Sequence, residues 1–275
     1  MCYNRFMNKF SEFLIDKFKH VISKPIRLIS IIIVGFIFFK SASTFFSETE
    51  QVVVGNKDSE LIESIVENTL GSANDNEPFN FNKETYDALY QVNSDMIGYI
   101  HFDNGIVSEP IVQCEDNEYY VRHSFSSTDS SQGAIFMDAH TSFFDTNPIL
   151  YGHNVLYDAN AKFSPLANLR KQSYYEENST FTIYTKDIYD EVISVKYAIT
   201  DVFEFDTSEE KEDFSYVKFN FDDQMEFERW YYNVQINSLI TSIHGQPEYG
   251  DKLLTLQTCK NLNDTTRIII LAKQI

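Results

Sequence analysis

The chain has 275 residues, 43% of them hydrophobic and 15% aromatic, which is enough apolar surface to build a substantial core and excludes a wholly disordered protein. Its 22 basic against 41 acidic side chains give a net charge of −19, the wrong sign for a protein that must neutralise phosphates, so no nucleic-acid partner is expected. Cys2, Cys114 and Cys259 are too few and too far apart for a disulfide framework or a thiolate zinc site, so any cysteine that matters acts alone.

The charge is uneven. Seven basic and two acidic side chains give residues 1–40 a net +5 and leave −24 for the rest. Between Arg27 and Lys40 lies an uncharged run, 28–39, of Leu, Ile, Val and Phe with one Ser and one Gly, and apolar character continues weakly to Phe46. A bilayer span takes roughly 20 apolar residues, fewer where end lysines snorkel, so 28–46 is expected to be a signal anchor. Basic residues before it and acidic ones after it predict a single-pass membrane protein with residues 1–27 in the cytoplasm and 47–275 outside. A cleaved signal peptide is the alternative, because Ser41-Ala42-Ser43 suits signal peptidase; either way the bulk of the chain is exported.

Residues 59–70 place apolar side chains at 61, 62, 65, 66 and 70, one face of a helix, with Gly71 where a cap belongs. A polar loop follows over 71–82, then a short helix over 83–92 with Tyr86, Leu89 and Tyr90 on one side. From Met96 the pattern turns to short strands: 96–102, the turn Asp103-Asn104-Gly105, 106–113, 133–137, 148–151, 180–185, 192–205, 252–257 and 267–272. Residues 222–242 interrupt them, with Phe227, Trp230, Tyr231 and Val234 at helical spacing. About eight strands with few helices point to a mainly β chain closed into a barrel, with helices at its periphery.

Cys259 ends the run 252–258, whose composition suits a buried strand, and a thiol at a strand end is exposed enough to react. It needs a neighbouring base or cation to act as a nucleophile at neutral pH. Arg267 follows eight residues on, across a polar, turn-like stretch, so two antiparallel strands would bring its fork of donors beside the sulfur. Spacing alone leaves open an inert buried Cys and a surface Arg. Among six histidines, His153 is placed most like a base, since 148–151 reads as a strand and Gly152-His153-Asn154 as the turn leaving it. No HExxH or CxxC is present and Glu115-Asp116-Asn117 lacks the other ligands of a calcium loop, so no metal or other cofactor is expected; Cys114 reads as a packing residue.

Thr255-Leu256-Gln257-Thr258-Cys259 followed by Thr266-Arg267-Ile268-Ile269, with Tyr151-Gly152-His153-Asn154 about a hundred residues earlier, resembles the sortases, membrane-anchored cysteine transpeptidases of Gram-positive bacteria. Ile97-Gly98-Tyr99-Ile100, Pro110-Ile111-Val112-Gln113 with Asp116-Asn117-Glu118-Tyr119-Tyr120, and Gly133-Ala134-Ile135-Phe136-Met137-Asp138 strengthen it. The N-terminal helices and the helix inserted between the sixth and seventh barrel strands resemble class B. The resemblance implies an eight-stranded sortase-type barrel over 84–275, after a helical stalk and N-terminal helix over 47–83. It implies Cys259 as nucleophile, His153 as acid and base, and Arg267 as the group that holds the carbonyl. Thr258, Tyr151 and Gln257 would contact substrate; Gln257 departs from the family's common Ser, and Lys260 from its common acidic residue. The implied reaction cuts a C-terminal sorting signal of a surface protein after Thr, through a thioester, and passes the protein to a peptidoglycan precursor amine or a pilin lysine. An exported binding or scaffold module, or a secreted thiol endopeptidase that only hydrolyses, are the alternatives.

Overall fold

The computed structural model describes residues 25–70, 79–155, 157–208, 214–260 and 265–275. Two compact units divide between Glu50 and Gln51. In the first, the described chain is the opening part of helix α1 (Pro25–Leu70). Among the described residues no helix is long and apolar enough to cross a membrane, which overturns the expected anchor over 28–46 and the single-pass membrane localisation drawn from it. The uncharged run is too short: twelve helical residues, 28–39, cover about 18 Å against a hydrocarbon core of about 30 Å. Beyond it come Lys40, Ser41, Ser43 and Thr44, then Glu48 and Glu50, which add no apolar length. Of the basic segment expected over 1–27, residues 1–24 lie outside the described residues.

In the second unit, the helix expected over 59–70 is the last part of α1, while Gly71 and the loop after it, 71–78, lie outside the described residues. Ile62 of that helix is buried, with Ile65 and Val66 packed beside it, but Leu61 faces solvent. The buried Asp58 carboxylate accepts the backbone N–H groups of Phe125 and Ser126, each at 3.0 Å, and so ties the helix to the segment around 125–126. Helix α2 (Lys83–Val92) begins as its sequence dictates, with the Asn82 carboxamide accepting the Thr85 N–H at 2.9 Å.

Eight strands close into a barrel: β1 (Met96–Phe102), β2 (Ser108–Val112), β3 (Ile135–Met137), β4 (Ile149–Tyr151), β5 (Thr180–Lys186), β6 (Val192–Asp206), β7 (Leu253–Cys259) and β8 (Thr266–Gln274). Their order is β1-β2-β3-β4-β7-β8-β6-β5, with β5 returning to β1. The β2–β3 and β4–β7 pairs are parallel and the others antiparallel. A short 3-10 helix (Ser164–Arg170) and α3 (Gln172–Glu177) connect β4 to β5. Helix α4 (Gln224–Asn237) follows β6, its first turn capped by the Asp223 carboxylate on the Glu226 N–H at 2.8 Å. It is shorter than the expected 222–242, because past Ser238 the backbone bonds to the barrel instead, Leu239 N–H donating to Val202 O at 2.7 Å. The strand expected over 252–257 runs on to Cys259.

The near-continuous apolar character of β7 and β8 follows from burial on both faces. Leu254, Leu256, Ile268, Ile270 and Ala272 fill the barrel interior. Leu253, Ile269 and Leu271 point outward into a second cluster with Phe227, Trp230, Tyr231 and Val234 of α4. Side chains alternate along a strand, so Gln257, Cys259 and Arg267 continue that outward row past the end of α4's cover.

Candidate active site

Three neighbouring strand ends build the site. β4 and β7 run parallel with Tyr151 opposite Gln257, and β8 runs back along β7 with Arg267 opposite Cys259. Directly opposed residues of an antiparallel pair sit with Cα atoms about 4.5–5.5 Å apart and side chains on one face, which brings the guanidinium beside the thiol. A cleft of about 460 Å³ opens over these ends, and its lining includes Cys259, His153, Arg267, Tyr151, Gln257 and Thr258. All six residues singled out in the sequence therefore meet at one cavity. Asn117, Phe136, Thr207 and Tyr216 line it too.

His153 is oriented from behind. Its Nε2 lies 2.8 Å from the Val121 carbonyl oxygen, and since a carbonyl only accepts, Nε2 carries the hydrogen and Nδ1 the lone pair. Burial lowers the His153 pKa, repulsion from Arg122 and Arg267 lowers it further, and the Val121 carbonyl opposes both; the ring is neutral at pH 7. The close approach needs a glycine: Gly133 has φ +60°, and a Cβ there would stand 2.6 Å from Tyr120 O, 2.9 Å from Val121 O and 3.0 Å from the His153 ring. Gly152 lies against Phe163, whose ring a Cβ would meet at 2.6 Å.

The nucleophile's strand end is held from both sides. On the β8 side Lys260 N–H donates to Thr266 O at 3.0 Å, and on the β4 side the Asn154 carboxamide Nδ2 donates to the carbonyls of Cys259 at 3.0 Å and Lys260 at 3.1 Å. The Lys260 ammonium is drawn to Glu204 at 2.7 Å, a carboxylate shared with Arg170 at 2.6 Å.

Polar side chains floor the cleft. The Tyr151 hydroxyl donates to Asp138 at 2.7 Å, and the same carboxylate accepts from Asn117 at 3.0 Å and from the His140 backbone and ring at 2.8 and 3.1 Å. Burial works against ionisation of Asp138, but these donors more than offset it and hold its pKa below the usual carboxylate value. Burial and the Asp138 carboxylate together push the Tyr151 pKa upward, so its hydroxyl stays a donor. Tyr216, its own pKa pushed up to about 12 by burial, donates to the Gln257 carboxamide oxygen. The Thr258 hydroxyl is buried on the inward side of β7 and has no partner among the described residues. Asn117, Asp138 and Tyr216 carried no role in the sequence reading: the first two are 21 residues apart in two separate motifs, and nothing in the pattern around Tyr216 distinguishes it from the other 16 tyrosines. Among the described residues no three His, Cys, Asp or Glu side chains are grouped so as to hold a metal ion.

No protein-family model matches the chain. It is 30% identical over 190 residues to Sortase B of Listeria monocytogenes, covering 67% of this chain and 72% of that protein. It is 26% identical over 194 residues to Sortase B of Staphylococcus aureus, covering 69% and 74%. Its fold superimposes on a Staphylococcus aureus sortase B–substrate complex with TM-score 0.60 at 21% identity, over 86% of this chain and 98% of that one.

Proposed function

The chain belongs to the class B sortases, cysteine transpeptidases, and from that premise we propose that Cys259, His153 and Arg267 carry the reaction in the cleft at the ends of β4, β7 and β8. Neutral His153 takes the thiol proton at Nδ1, and the thiolate attacks the carbonyl carbon of a threonine in a C-terminal sorting signal. The Arg267 guanidinium, always charged and forked, holds that carbonyl and the oxyanion that forms on it. As the C–N bond breaks, His153 returns its proton to the leaving amine and a thioester remains on Cys259. The amine of a peptidoglycan precursor, or a pilin lysine, then attacks the thioester; His153 accepts the amine's proton and passes it to the departing thiolate. Tyr151 and Gln257 contact the signal peptide, Thr258 borders the cleft with its side chain turned inward rather than reaching the peptide, and the catalytic domain spans 84–275 behind a helical stalk over 47–83.

The observation that carries this reading is the register Cys259 opposite Arg267, with His153 lining the same cleft and held neutral. The test is mass spectrometry of the wild type and of Cys259→Ala after incubation with peptides carrying Pro second and Thr fourth in the motif. A mass increment on the wild type alone, equal to the peptide cut after its Thr, is expected, and an added amine should release it as a ligated product. Release by water alone would make the protein a thiol endopeptidase, and absence of any adduct across the panel would overturn the assignment.

A further inference from the structure

The β4–β7 ladder stops just short of the nucleophile. Its last register pair is Tyr151 with Gln257, closed by Gly152 N–H donating to Gln257 O at 3.1 Å. After Gly152 the chain leaves β7: His153 O accepts from Phe163 N–H at 3.1 Å, and Asn154 bridges to Lys162. The carbonyls of Cys259 and Lys260 thus lie beyond the reach of β4's backbone, and a carbonyl withdrawn from water without a partner is destabilising. One side chain replaces the missing ladder. A carboxamide has two N–H donors, and Asn154 Nδ2 spends them on these two carbonyls, at 3.0 and 3.1 Å.

Asn154 directly follows His153, whose ring is fixed on its other side by Val121 O at 2.8 Å. The residue that ties down the nucleophile's strand end is therefore one peptide unit from the base, across a gap where the strand-to-strand ladder has ended. We propose that Asn154 is a positioning residue for acyl transfer: its carboxamide sets the separation and alignment of the Cys259 thiol and the His153 ring. It touches neither substrate nor reacting atoms. This deepens the function proposed above and rests on that reading, and it implies that Asn154 acts through His153.

The test is a double-mutant cycle on the full chain with Asn154→Leu, which keeps the branched shape without donors or charge, and His153→Ala. Two readouts are taken, the rate of Cys259 alkylation by iodoacetamide across pH 5 to 9 and the kcat and KM of peptide acylation. Asn154→Leu is expected to lower kcat by about 10- to 100-fold with KM within about twofold, the range seen when a group that orients a reacting side chain is lost. Its alkylation pH profile should move toward that of His153→Ala, and in the His153→Ala background it should change the alkylation rate by less than twofold. A wild-type kcat and pH profile in Asn154→Leu, or equal losses in both backgrounds, would overturn the proposal. Should Asn154→Leu not fold, Asn154→Ala is judged by the same two criteria. If wild type forms no acyl-enzyme at all, the catalytic reading fails while the alkylation cycle still decides whether Asn154 couples to His153.

Discussion

The outer face of the β7–β8 pair runs from Leu253 and Leu271 at one end to Cys259 and Arg267 at the other, and the two ends are treated oppositely. At the first, Phe227, Trp230, Tyr231 and Val234 of α4 cover the row and make a closed apolar cluster. At the second, the cover stops and the same row carries polar and reactive side chains into an open cleft. Trp230 joins the two: its indole N–H donates to Ser215 O at 3.0 Å, next to Tyr216, which walls the cleft. The site thus lies where the barrel's second layer ends, and burial on one side of that boundary supplies the rigidity used on the other.

Breaking the open end should abolish chemistry and spare the fold. Cys259→Ala is expected to form no adduct with any peptide while its thermal midpoint stays within a few degrees of wild type, since the side chain is only half-buried. Breaking the covered end should do the reverse. Trp230→Ala removes a buried indole and is expected to cost about 3–5 kcal/mol in denaturant unfolding; a loss under about 1 kcal/mol would show that α4's cover is not what holds that end. Arg267→Lys sharpens the contrast by keeping the charge and removing the fork. The expected fall in kcat/KM for acylation is about 10²- to 10³-fold, and an unchanged value would mean that charge alone suffices.

Tyr151→Phe lies on the boundary, because the hydroxyl it deletes serves a buried carboxylate. Asp138 then keeps its donors from Asn117 and His140 but loses the one at 2.7 Å, for an expected cost of about 1–3 kcal/mol, read by chemical denaturation. The smallest effect is a pH slope far from the cleft. Burial lowers the pKa of His101, stacked on Phe79, from 6.5 to about 4. Between those values the unfolded chain binds a proton that the folded chain does not, so stability is full above about 6.5 and falls as pH drops toward 4. The depressed His153 and His244 act in the same direction. His101→Phe keeps an aromatic stack and should flatten part of this slope in thermal melts; an unaltered slope would assign it to other groups.

Much of this was legible before any coordinates. Alternation and turn residues located the strands to within a residue or two, as in 180–185 against Thr180–Lys186, and helical spacing placed the start of α4 within two residues. Strand-end placement and an eight-residue hairpin spacing, local properties of the chain, made Cys259, His153 and Arg267 candidates, and only the resemblance carried by the motifs gave them roles. The membrane anchor was misjudged because a twelve-residue apolar run followed by Lys40 was counted together with the weaker stretch to Phe46. The end of α4 was misplaced because helical spacing says nothing of the bond from Leu239 to Val202 that competes with the last turns.

The sequence by itself determined the element types, because they depend on side-chain periodicity, and its motifs carried the resemblance that implied the class of chemistry. Only the tertiary structure decided that β4 runs beside β7, that Val121 fixes the His153 tautomer, that Asp138 gathers Tyr151 and Asn117, and that Asn154 clasps the carbonyls of Cys259 and Lys260. Those contacts join residues up to 106 positions apart. Which distant groups meet is set by how the barrel closes and by the need to pair every half-buried polar group, conditions no local pattern records.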